Sequence, residues 1–147
     1  LAGAALEAVR HAFEIELGGR DFYTAAAAHT TDAALHDMFG RLAKMEHEHI
    51  DTLVRRYHLA PPAGAEGNLH PGVLQAGGDE TPDDPLELLE MAITLERRAE
   101  QFFRDRIDEA APAAQALYRE LAAEEGEHIA LLVTELAALR SNRRGLL

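Results

Sequence analysis

A helical motif that recurs at a fixed offset constrains this chain more than any other feature. Leu42-Ala43-Lys44-Met45-Glu46-His47-Glu48-His49-Ile50 returns 79 positions later as Leu121-Ala122-Ala123-Glu124-Glu125-Gly126-Glu127-His128-Ile129. Upstream of each copy, Glu16 with Phe22-Tyr23 is matched at an offset of 80 by Glu96 with Phe102-Phe103. Self-similarity on this scale marks a repeated supersecondary unit. A repeated helical hairpin predicts a pseudo-two-fold bundle in which matched residues face one another.

Composition agrees with helices. Alanine supplies 28 of the 147 residues and glutamate 17, and both keep or lose little side-chain freedom in a helix. Five of the six prolines lie between Pro61 and Pro85, with Gly64, Gly67, Gly72, Gly77 and Gly78, so one irregular connection separates two helical halves. The reading is one all-α domain over residues 1–147. Its helices run from about Ala4 to Ala28, Asp32 to His58, Pro85 to Asp108 and Pro112 to Leu139. The connection runs from about Leu59 to Asp83. Thr31 and Asp32 are candidate caps for the second helix. Asp84, Pro85 and Glu87 form a start signal of the capping-box kind for the third. Short links within each half predict antiparallel hairpins, and the long middle segment suits a single crossover.

Each helix carries a glutamate in the middle of its apolar stripe, read at i, i+3, i+4 and i+7. Glu16 lies among Val9, Ala12, Phe13, Gly19 and Tyr23, and Glu96 among Leu89, Ala92, Ile93, Ala99 and Phe103. Glu46 lies among Phe39, Leu42, Ala43, Ile50 and Leu53, with His49 three residues on. Glu125 lies among Tyr118, Leu121, Ala122, Ile129 and Leu132, with His128 three residues on. A lone glutamate on such a stripe is usually a boundary residue turned outward. Four at mid-helix are another matter, because an unpaired buried carboxylate costs several kcal/mol. Two divalent cations would balance the four charges, with one imidazole for each ion. Such a pair would sit about 3.5–4 Å apart.

One Glu from each of two helices with Glu-x-x-His from each of the other two is the ligand pattern of ferritin-like carboxylate proteins. The sequence resembles that superfamily and, within it, the rubrerythrin-like proteins. The likeness runs along essentially the whole chain, through Phe13 to Tyr23, Leu42 to His49, Ala92 to Phe103 and Leu121 to His128. It implies a ferritin-like four-helix bundle and a carboxylate-bridged centre of two iron ions, with zinc or manganese as substitutes. Glu46 and Glu125 would bridge; Glu16 and His49 would complete one metal, Glu96 and His128 the other. Rubrerythrins proper add a four-cysteine rubredoxin domain, and this chain has no cysteine. Electrons would therefore come from a separate donor protein or from Fe2+. The family's extra ligand glutamate in the third helix is matched here by Ala99, so the remaining six-ligand set looks more like a symmetric ferroxidase centre.

Other residues carry open readings. Tyr23 could hydrogen-bond a ligand carboxylate of the opposite half or be an ordinary core tyrosine, and Tyr118 stands in an analogous position relative to Glu125. Gly19 and Ala99 leave room for a small oxidant or for close helix packing. His47, Glu48, Glu124 and Glu127 point away from the stripe and are read as solvated. His11, His29, His36, His58 and His70 are read as surface residues. A net charge of −12 argues against a nucleic-acid partner, and no apolar run reaches the length of a membrane span. No signal-peptide pattern opens the chain, so a cytoplasmic protein is expected. Leu1 is not an initiator methionine, so a few residues are expected to precede it. The expected activity is peroxidase or ferroxidase chemistry on hydrogen peroxide or O2. The alternative is a non-catalytic bundle that handles iron or is stabilised by zinc. A homodimer is expected, with exchange of helix pairs through the long connection as one way to form it.

Overall fold

A computed structural model of the chain describes residues 3–58 and 84–145. It contains four helices and, among the described residues, no strand: α1 (Gly3–His29), α2 (Ala33–Tyr57), α3 (Pro85–Ile107) and α4 (Pro112–Gly145). The connection expected over 59–83, with His70, lies outside the described residues. No helix among the described residues is long and apolar enough to cross a membrane.

The helix starts follow local chemistry. Asp32 takes an extended backbone at the N-cap of α2, and its Oδ1 accepts from the Leu35 N–H at 3.0 Å. Thr30 Oγ1 accepts from the Asp32 N–H, which fixes the entry of the chain. α2 is closed at its C-cap by His58, whose backbone is left-handed (φ 53°) and whose N–H donates to the Val54 carbonyl. Asp84 occupies the N-cap of α3 with Pro85 in the first turn, but its side chain makes no capping hydrogen bond, contrary to the expected box. α4 continues six residues beyond the expected end at Leu139. Arg140, Ser141, Asn142, Arg143 and Arg144 include no strong helix breaker, and the helix stops at Gly145.

α1 packs on α2 and α3 on α4, and α1 also touches α4. Both pairs are antiparallel. Tyr23 stacks on Phe39 near the α1–α2 link while Glu16 meets His49 further away. Phe103 packs on Tyr118 near the α3–α4 link while Glu96 meets His128 further away. The buried side chains form two apolar clusters. One joins Ala8 and Val9 of α1, Leu53 of α2, Phe102 and Phe103 of α3, and Leu117 and Tyr118 of α4. The other joins Tyr23 and Ala26, Leu35 and Phe39, Leu88 and Leu89, and Leu132 and Leu136. Each fully buried Leu or Phe contributes about 1.5–3 kcal/mol relative to exposure. The four stripe glutamates lie along the helices between these clusters.

Candidate metal centre

All four stripe glutamates turn inward. Glu16 has no exposed surface, and Glu46, Glu96 and Glu125 are buried, with His128 beside them. His49 is half-buried, its side chain 21% exposed. The structure thus brings all six expected donors to one region in the middle of the bundle. Glu46, Glu96, Glu125 and His128 each place one donor atom within 4.8 Å of the others, and so do Glu46, His49 and His128. Glu46 therefore belongs to both sets. The rings of His49 and His128 lie nearly parallel, 5.6 Å apart.

The distances are close without forming a closed hydrogen-bond network. His128 Nδ1 lies 3.0 Å from Glu46 Oε1, 3.4 Å from Glu96 Oε1 and 4.0 Å from Glu125 Oε2. Yet none of these contacts is a well-aligned hydrogen bond, so it is a buried polar atom without a partner. Glu16 Oε1 is orphaned in the same way. Buried polar groups are otherwise almost always satisfied. Beside the Glu16–His49 hydrogen bond, these two orphaned buried atoms are an arrangement that a cation would complete. Carboxylate oxygen and imidazole nitrogen suit a divalent first-row ion.

The electrostatics reflect the same crowding. Burial pushes the Glu46 carboxyl well above its ordinary range, reinforced by the charge and hydrogen bond of Glu16 and by Glu96. Burial does the same to Glu125, reinforced by Glu96, Glu46 and Glu16. Burial also pushes Glu96 up, but contacts with the Glu125 carboxyl, the His128 ring and the Tyr23 hydroxyl outweigh it and hold Glu96 below the ordinary value. Burial would lower His49, but Glu16 and Glu124 overcome it and raise its pKa. Bound protons thus relieve the crowding of buried negative charge.

Tyr23 takes the first of its two readings. Its hydroxyl donates to Glu96 Oε1 at 2.5 Å across the two halves, and burial together with the Glu96 charge raises its pKa. Tyr118 does not reach a ligand; its hydroxyl lies 3.4 Å from His11 Nδ1. His11, expected at the surface, is instead half-buried with its ring edge-on to Phe102, because it flanks the α1 stripe beside Ala12. His29, His36 and His58 are exposed, as are His47, Glu48 and Glu127. Gly19 packs closely on α2 and also borders open space. A Cβ there would meet Glu46 Cδ at 3.2 Å, and Gly19 and Ala99 line a cavity of about 30 Å³ that also touches Tyr23, Glu46, Glu96 and Glu125.

Glu124 corrects the sequence reading. It is half-buried, and its Oε2 lies 3.5 Å from His49 Nδ1. Glu16, His49 and Glu124 form a third set of donors within 4.8 Å of one another. The signal was present in the spacing. Glu124 is three residues after Leu121 and four before His128, so it lies on one edge of a stripe broad enough to hold it and Glu125 together. Comparison with protein-family models, curated proteins and solved structures found no match to this chain.

Proposed function

We propose that the chain is a ferritin-like, rubrerythrin-like di-iron protein whose centre carries out redox chemistry with hydrogen peroxide or O2. One observation carries the reading: four buried glutamates, one per helix, and two histidines at matched repeat positions meet with buried donor atoms left unpartnered. The ferritin-like topology with one long crossover is part of the proposal. It draws support from the ends of the helices, since α2 finishes in the cluster around Leu53 whereas α3 begins in the cluster around Leu88.

Glu16 and His49 would hold one iron and Glu96 and His128 the other, with Glu46 and Glu125 between them. Two ferrous ions would supply the two electrons that, with two protons, reduce hydrogen peroxide to two waters or O2 to hydrogen peroxide. The chain's own residues shape that chemistry. Tyr23 fixes Glu96 through its hydroxyl, as partners of metal ligands do. The small cavity at Gly19 and Ala99 gives a diatomic or peroxide-sized molecule access to the carboxylates. Reduced iron would be restored by a separate donor protein or by fresh Fe2+.

The test is anaerobic loading with Fe2+, a metal count, and stopped-flow mixing with peroxide and separately with O2. Two irons per chain and fast oxidation by at least one oxidant are expected. A chain that binds two ions but oxidises iron no faster than free Fe2+ overturns the redox assignment in favour of a non-catalytic metal-binding bundle. A chain that binds none overturns the centre itself.

A further inference from the structure

The two halves of the repeat differ chemically, and the differences make the Glu16–His49 side unlike the Glu96–His128 side. Tyr23 donates to Glu96, but its counterpart in the other half is Phe103, which has no hydroxyl. Glu16 is the counterpart of Glu96, and its Oε1 is buried without a hydrogen-bond partner. At the offset of 79, the counterpart of Glu124 is Met45. Met45 packs against the apolar cluster of its end of the bundle, and His128 is 1% exposed. Glu124 instead stands beside His49, which solvent reaches.

A pocket of about 40 Å³ runs from this side between α2 and α4. His49 and Glu124 lie on its wall with Thr52 and Leu121. Exposed Arg56 and Glu120 also line it, paired through two hydrogen bonds of 2.7 and 3.0 Å. The volume suffices for a few water positions.

We propose that Glu124 is a further ligand of the metal position at Glu16 and His49, and that this pocket is the port through which a divalent cation enters the centre. The inference deepens the di-metal reading and rests on it. A cation entering a buried site must give up hydration, and a half-exposed carboxylate replaces water oxygen with anionic oxygen before the ion reaches full burial. Glu16 Oε1 then offers the next unsatisfied donor. Arg56 would repel an arriving cation, but Glu120, held to it by two hydrogen bonds, offsets most of that charge. On the matched side, Met45 offers a soft thioether in place of a hard oxygen. The two metal positions are therefore unequal: the one at His49 fills and exchanges with solvent first, and the one at His128 fills through Glu46, which belongs to both donor sets.

Anaerobic stopped-flow uptake of Co2+ by the full chain, followed through its visible absorption, tests this together with equilibrium dialysis. Wild type should bind two ions in two kinetic phases. Glu124→Gln should slow the first phase and weaken one ion by at least about tenfold, the scale on which groups supporting a metal site act. Glu127→Gln makes the same charge change at an exposed neighbour and should alter neither. Arg56→Ala should quicken the first phase and leave the count at two. Glu124→Gln behaving like Glu127→Gln, or Arg56→Ala loading no faster than wild type, overturns the port while leaving the di-metal reading intact. Wild type that binds no Co2+ overturns both.

Discussion

Tyr23 and Glu46 show how much single side chains carry. Tyr23→Phe deletes the hydroxyl that donates to Glu96 Oε1 and changes almost nothing in shape, since Phe103 occupies the matched position in the other half. A buried carboxylate deprived of a donor costs about 1–3 kcal/mol. Urea denaturation of the metal-free variant should show a loss in that range; an unchanged midpoint would mean that the bond contributes nothing. Glu46 shares donor sets with Glu96 and Glu125 on one side and with His49 on the other, whereas His49 stands half-buried at one edge of the site. Under the proposed function, Glu46→Ala should therefore lose both metals and His49→Ala should mainly weaken one. Metal counts per chain after dialysis decide between shared and separate roles. The six donors could be read from the sequence because periodicity puts each on an apolar stripe where a free charge is costly. Glu124 escaped that reading because adjacent helical residues diverge by 100°. A broad stripe and a long side chain still let two neighbours reach the same site.

At the scale of the elements, existence and order were readable and ends less so. Asp32 was identifiable as a cap from residue type and position, and it bonds the Leu35 N–H. Asp32→Ala should cost about 1 kcal/mol, the usual loss for such a cap, and a thermal melt should show it. The helix end at His58 was readable but its left-handed backbone was not, because that conformation in a non-glycine residue leaves little trace in sequence. His58→Gly relieves the steric conflict at that conformation and should raise stability by about 0.5–1 kcal/mol; a lower melting temperature would show that the imidazole contributes more than the conformation costs. The end of α4 was set too early because Leu139 is the last residue of the apolar pattern. Helical backbone needs no apolar residue to continue, only the absence of a breaker.

Across the whole molecule, two apolar clusters flank a middle region where buried charge is costly. Between the cluster of Val9, Leu53 and Phe103 and that of Tyr23, Phe39 and Leu89 lie buried carboxylates whose like charges oppose one another. This makes the pH dependence of stability a property of the entire fold. In the metal-free protein, burial and the surrounding carboxylates raise Glu46 and Glu125 well above the ordinary 4.5, and burial also raises Glu124. Glu16 and Glu124 raise His49 above 6.5 against the effect of its own burial. For each of these groups the folded state binds protons that the unfolded chain has already released. Their contribution is complete below the unfolded value and is lost as pH rises through the folded value. Glu96 has the opposite sign, but its lowered pKa acts only below about 4.5. The metal-free protein should therefore melt at higher temperature as pH falls from about 7.5 to 5.5, and below about 4.5 only the opposing Glu96 contribution should be lost. The metal-loaded protein should show the reverse slope between 7.5 and 5.5, because protons compete with cations for the same oxygens and imidazoles. Thermal melts of both forms across that range provide the measurement. A metal-free protein that grows less stable as pH drops from 7.5 to 5.5 contradicts a buried, proton-sharing carboxylate cluster. Equal slopes for the two forms contradict the occupation of that cluster by metal.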